Sequence, residues 1–346
     1  MKKILFLLFP NLLFAQESTW SETTPKLKYA NTIVVEDLQR HIDILAGDSL
    51  QGRETGKAGQ KMAANYIANF FKEIGIPPYK NNTYFQKFKV KTVKRFGKWK
   101  WNKKSVKQKK FNNYYIKGEN IIGFIEGSDL KEEIVVITAH YDHLGIKDSL
   151  IYNGADDNGS GTVAIMEIAE AFMLAKKDGK GPRRSILIMP VSAEEKGLLG
   201  SKYYAENPIY PLENTIANLN VDMIGRIDDH HDNPNYIYLI GSDRLSTELH
   251  DISEEVNDKY INLELNYKYN DEDDPNRYYY RSDHYNFAKN NIPVIFYFNG
   301  IHDDYHKPSD TIDKIHFPKI EKISRYIFLT AWELANREER PKLNID

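Results

Sequence analysis

The chain has 346 residues, a net charge of −2 and an apolar fraction of 41%, which excludes a disordered tail protein and a globally basic nucleic-acid binder. It has no cysteine, so disulfides, thiolate chemistry and lipid attachment at a cysteine are excluded, and any metal must sit on His, Asp and Glu.

Residues 1–15 place Lys2 and Lys3 before the apolar run Ile4 to Phe14, with Ala15 ahead of the polar Gln16-Glu17-Ser18. This reads as a cleavable secretory signal, too short for the roughly 20 apolar residues of a membrane-spanning helix. The expectation is an exported protein, periplasmic or released to the medium, without stable membrane insertion.

From Thr32 to Gly75 the pattern is helical, with Met62, Ala63, Tyr66, Ile67, Phe70, Phe71 and Ile74 at three-to-four spacing and Gly75 at the end. Residues 83–126 suggest strands joined by a loop. Within them, Lys87 to Lys110 carries many cations and no acid, interleaved with Phe88, Phe96, Trp99 and Trp101. A solvated hairpin insertion is the reading taken, over a grip on single-stranded nucleic acid or another anionic surface; no nucleic-acid partner is expected.

Short apolar runs then recur at Ile134 to Ala139, Ile186 to Val191, Ile216 to Val221 and Val294 to Phe298, separated by helical stretches such as Gly161 to Ala175. The alternation predicts an α/β sheet with helices on both faces. A last helix runs from Phe317 to about Ala335, and no repeat or linker divides residues 16–346, so a single domain is expected.

The chemistry clusters just after these strands, where open α/β sheets place their sites. The clusters are His140-Tyr141-Asp142-His143, Gly154 to Gly161 with Asp156-Asp157-Asn158, Glu194-Glu195, Asp222, and His306 in Asp304-Tyr305-His306-Lys307-Pro308. A pair of zinc ions needs nitrogen and oxygen ligands, one bridging carboxylate and a free carboxylate to take a proton from water, and the clusters supply that inventory.

Their order and spelling resemble the co-catalytic zinc aminopeptidases, the family of aminopeptidase Y and the bacterial secreted leucyl aminopeptidases, over roughly Leu38 to Leu334. The resemblance implies a three-layer α/β/α zinc-exopeptidase fold with a mixed, mostly parallel central sheet, two Zn²⁺ per chain, and peptide substrates cut at the N-terminal bond. It further implies that His140 and Asp222 hold one zinc, Glu195 and His306 the other, and that Asp157 bridges them. Glu194 would be the general base. Asp142 would receive the N–H of His140, leaving His143 outside the ligand set.

The resemblance also implies a cis Asp157-Asn158 bond and a Tyr305 able to donate to a developing oxyanion. Arg281 to Tyr285 resembles a family segment near the site, with helix capping by Ser282 or Asp283 the alternative. Asp271 to Asp274 and Tyr278 to Tyr280 are read as a solvated loop, with lining of a specificity pocket the alternative. A carboxypeptidase, a one-zinc glutaminyl cyclase or a non-catalytic zinc-binding module would be competing functions.

Overall fold

The computed structural model describes residues 25–93 and 113–344. Among these residues eleven strands are formed: β1 (Phe85–Val93), β2 (Asn113–Ile121), β3 (Gly123–Ile125), β4 (Ile134–His140), β5 (Gly145–Lys147), β6 (Leu150–Tyr152), β7 (Ser185–Val191), β8 (Thr215–Val221), β9 (Tyr236–Ile240), β10 (Glu264–Asn266) and β11 (Val294–Phe298). The helices are α1 (Pro25–Ala30), α2 (Val35–Leu45), α3 (Ala58–Glu73), α4 (Gly161–Lys177), α5 (Leu199–Glu206), α6 (Thr247–Val256), α7 (Tyr285–Ala288) and α8 (Phe317–Asn336).

Seven strands form one sheet in the order β10-β9-β11-β8-β4-β7-β3. β11, β8, β4 and β7 run parallel to one another, while β3 and β9 join antiparallel. β4, β7 and β8 are buried along their whole length, which is why these segments read as unbroken apolar runs and not as alternating ones.

Period-two geometry divides their side chains between two layers. Val135, Ile137 and Ala139 pack with Leu219, Val221 and helices α2, α3, α4 and α8. Ile134, Val136, Leu187 and Met189 face the other way, onto Tyr204 of α5 and Phe287 of α7. The α/β/α layering and the mixed, mostly parallel sheet are therefore as expected.

The stretch Thr32 to Gly75 is not one helical run. α2 ends before Gly47, and Gln51, Gly52 and Arg53 all adopt positive φ before α3 begins. At Gly52 a Cβ would lie 2.2 Å from the carbonyl oxygen of Tyr152, so the turn needs glycine both for its backbone and for this close approach. β9, with the sequence Tyr-Ile-Tyr-Leu-Ile, is an apolar strand that the sequence reading passed over.

β1 and β2 pair antiparallel as a separate hairpin, Phe85 opposite Ile121 and Val93 opposite Asn113. Most of the Lys87 to Lys110 segment, from residue 94 onward, lies outside the described residues, as do residues 1–15, which carry the pattern of a secretory signal. Among the described residues no helix is long and apolar enough to cross a membrane.

Candidate metal centre

The sheet delivers the chemistry to one end. His140 is the last residue of β4, Asp222 follows β8, Glu194 and Glu195 lie in the loop after β7, and His306 lies beyond β11. Asp157 sits in the turn leading into α4, and its peptide bond to Asn158 is cis. The Asn158 side chain ties this turn to β8, donating to the carbonyl of Val221 (2.8 Å) and accepting from the N–H groups of Gly161 (2.9 Å) and Met223 (3.2 Å). Behind it, the carboxylate of Asp310 accepts the backbone N–H groups of Asp156 and Asp157.

Two donor groups result, and Asp157 belongs to both. Its Oδ1 lies 3.3 Å from Nε2 of His140, which is itself 3.2 Å from Oδ1 of Asp222. Its Oδ2 lies 3.1 Å from Nε2 of His306, which is 3.3 Å from Oε1 of Glu195. Among the described residues, His140, Asp157 and Asp222 form one possible metal-holding set and His143, Asp157 and Glu195 another.

The residues fit cations. Oδ2 of Asp157 and Oε1 of Glu195 are buried and take no hydrogen bond from the described residues, an arrangement that is costly unless a positive charge is supplied. In the metal-free chain that charge comes from protons. Burial opposes it, but Asp157 and Glu195 push His306 up to about 10. Asp222 and Glu194 likewise raise His140 well above the ordinary imidazole range against its own desolvation.

His143 departs from the expected ligand set. It is fully buried, with Nδ1 2.9 Å from Oε1 of Glu195 and 3.8 Å from Oδ2 of Asp157, and its ring meets that of His306 edge-on at 5.8 Å. The sequence reading set it aside; the structure puts it against the second donor group.

Asp142 also differs in detail. Nδ1 of His140 lies 3.0 Å from the backbone carbonyl oxygen of Asp142 and 3.9 Å from its carboxylate. The carboxylate instead accepts from the hydroxyl of Thr55 (2.6 Å) and the backbone N–H of Glu194 (3.2 Å). The strand's turn brings the nearer carbonyl to the imidazole and leaves the Asp142 side chain to anchor the loop of the candidate base.

Ser282 does not cap a helix. Its hydroxyl donates to Oδ2 of Asp222 at 2.6 Å and accepts from the amide of Asn220 at 2.9 Å. The carbonyl oxygen of that amide accepts from Thr138 at 2.7 Å, so a buried polar chain runs from the sheet to the metal end. Asp283 is buried, accepts from the hydroxyl of Ser201, and is pushed by burial up to about 7.

A pocket of about 300 Å³ opens over the donors and contains Glu194. Its remaining walls are Met223, Leu198, Tyr278, Tyr280, Phe296, Phe298, Ile301 and Tyr305, with Arg281 beside them. Tyr278 and Tyr280 therefore line the pocket, contrary to the solvated-loop reading, while the carboxylate of Asp274 accepts the backbone N–H groups of Asn276 and Tyr278. Tyr305 stacks on His306 at 3.9 Å, and burial drives its phenol far above the ordinary value. Burial, with Asp222, Asp283 and Glu195 nearby, also raises the carboxyl of Glu194 in the metal-free chain.

A larger cavity of about 890 Å³ lies between α2, α3 and α4, lined by Arg40, His41, Tyr66 and Glu170 among others, and includes none of these donors.

The model of peptidase family M28 matches residues 120–331, more than half of the chain. Aminopeptidase YwaD of Bacillus subtilis is 27% identical over 248 residues, 69% of this chain and 49% of that protein. A probable glutamate carboxypeptidase of Arabidopsis thaliana is 37% identical over 105 residues, 30% of this chain and 14% of the plant protein. The chain thus spans about half or less of these curated relatives. Among solved structures, the LapA aminopeptidase of Legionella pneumophila superposes with a TM-score of 0.67 at 22% identity, covering 98% of this chain and 81% of that one.

Proposed function

Because the chain belongs to peptidase family M28, we propose that it is an exported two-zinc aminopeptidase that hydrolyses the N-terminal bond of peptides. The observation that carries this reading is Asp157, whose two oxygens face separate donor groups, His140 with Asp222 and His306 with Glu195. One carboxylate turned to two such sets is the arrangement a bridged metal pair requires. Both sets support two ions in preference to the single zinc of a cyclase.

Bound zinc supplies Lewis acidity to the attacking water and to the scissile carbonyl. Glu194, in the same pocket, accepts a proton from the water and hands it to the departing amine. Its backbone N–H is held by Asp142, so the base is oriented from the same turn that carries His140. The nearby metal charges would lower the carboxyl of Glu194 from its raised metal-free value and leave it ionised at neutral pH. Tyr305, kept protonated by burial, donates to the carbonyl oxygen as negative charge builds there.

The aromatic walls of the pocket suit an apolar first side chain. Arg281 at the same pocket favours a second reading, a carboxypeptidase that seats a terminal carboxylate. The export component of the proposal rests on the residue 1–15 pattern, and the single-domain reading on the continuous core around one sheet.

Digestion of matched peptides with free or acetylated N-termini, followed by mass spectrometry with and without zinc after chelation, tests the reading. Zinc-dependent loss of N-terminal residues from the free-amine set alone is expected. Trimming from the other end would establish the carboxypeptidase.

A further inference from the structure

The donors sit on loops after different strands, and one short upstream turn touches three of these loops. Residues 50–56 lie outside the stretch that the family model matches, and they supply no candidate ligand. Arg53 is 1% exposed, and among the described residues no carboxylate pairs with it. Its guanidinium donates only to backbone carbonyls: Nε to Tyr141 (2.7 Å), Nη1 to Leu45 (2.5 Å) and Asn153 (2.7 Å), and Nη2 to Gly154 (2.9 Å). Its own carbonyl accepts the N–H of His143 at 3.3 Å.

Arg53 therefore joins the turn after His140 to the turn before Asp157. Two residues on, the Thr55 hydroxyl accepts the backbone N–H of Ala193 (3.0 Å) and donates to the carboxylate of Asp142 (2.6 Å). That links the same His140 turn to the loop of Glu194 and Glu195, which Glu54 also holds through Lys196 at 3.0 Å.

A buried cation that spends its donors on carbonyls is an expensive way to hold two loops unless charge is also needed there. The surrounding charge explains it. Burial pulls the Arg53 guanidinium down to about 10, while Asp142, Asp310, Asp157 and Glu195 act to hold its proton. These include the acids that crowd together at the metal end.

We propose that Arg53 and Thr55 are positioning residues of the metal centre, holding the His140, Asp157 and Glu194–Glu195 loops in register so that both ions are bound by a preformed site. Arg53 contributes fixed geometry and a permanent positive charge beneath the carboxylates; Thr55 contributes a two-way hydrogen bond between loops. Neither touches substrate. The inference rests on the two-zinc reading above.

The test uses the full-length chain and four variants, Arg53→Met, Arg53→Lys, Thr55→Val and Thr55→Ser, each stripped of metal and reloaded. Zinc affinity is measured by competition with a chromophoric chelator, and the melting temperature is recorded with and without zinc. Arg53→Met and Thr55→Val are expected to bind zinc about 10–100-fold more weakly, as loss of a ligand's supporting hydrogen bonds does elsewhere. Their metal-free melting is expected to fall less than the increment that zinc adds. Thr55→Ser, which keeps the hydroxyl, should return to within about threefold of the parent.

A purely structural role would lower the metal-free and loaded melting temperatures together and leave chelator competition unchanged, and that result overturns the proposal. If Arg53→Met does not fold, the Thr55 pair and Arg53→Lys decide alone: wild-type zinc affinity in Thr55→Val overturns the inference. A parent chain that binds no zinc would overturn the two-zinc reading itself, and the two failures are thereby distinguished.

Discussion

Ser282→Ala separates the two donor groups. Ser282 touches only the first, through Oδ2 of Asp222, while Glu195 and His306 are held independently of it. Removing the hydroxyl deletes a 2.6 Å bond to the carboxylate and leaves the buried amide of Asn220 without its 2.9 Å acceptor. The orphaned amide costs about 1–3 kcal/mol of stability, and the freed carboxylate weakens the adjoining ion about 10–100-fold.

The second ion should change far less, because its link to the first is Asp157, which Asn158 and Asp310 fix from other directions. Calorimetric titration of the metal-free chain with zinc resolves the two steps. Equal weakening of both, or none with the melting temperature unchanged, would refute the argument that Ser282 orients Asp222.

Glu194→Gln should retain both metals and lose most turnover, since it removes the proton carrier and leaves the ligands in place; activity within a few-fold of the parent would assign the base elsewhere. Asp157→Ala should loosen both ions together, which metal analysis after dialysis checks directly. Lys319→Met should stabilise the fold by about 2 kcal/mol near pH 6, because this buried ammonium has no hydrogen-bond partner among the described residues, a cost that its contact 3.4 Å over the Tyr236 ring only partly offsets. Burial lowers its pKa from 10.5 to about 7. The folded chain therefore carries the cost of the charge below pH 7, and that cost fades as pH rises toward the unfolded value, so the stabilisation should shrink by pH 9 in denaturant melts.

The sheet was legible because β4, β7, β8 and β11 are buried on both faces and their apolar runs need no periodicity to be recognised. The acids and histidines after them were legible through their order, and His140, Asp157, Glu195, Asp222 and His306 do converge. What escaped is what depends on orientation across distance. Whether His140 meets the carbonyl or the carboxylate of Asp142 is settled by Thr55 and by the loop of Glu194, both remote in sequence. His143 looked redundant beside His140 because adjacent spelling does not tell which way a ring turns after a strand ends.

Tyr278 and Tyr280 read as loop because nothing in a run of tyrosines predicts that Phe296 and Phe298 of β11 form part of the same pocket wall. Arg53 gave no signal at all. An arginine flanked by a glycine and an acid reads as surface, and its carbonyl partners carry no sequence signature.

The spacing of the donors along the chain has a further consequence for biosynthesis. The His140, Asp157 and Asp222 group is complete once Asp222 has been made, and His143 and Glu195 of the second group precede it, whereas His306, the last donor to the second group, lies beyond β11. A nascent or truncated chain ending between them offers one whole donor set and a second that lacks only His306 among its donors. Pairing of β11 onto β8 is thus the event that completes the second set, and activity should appear last during synthesis, after the central strands are already in place.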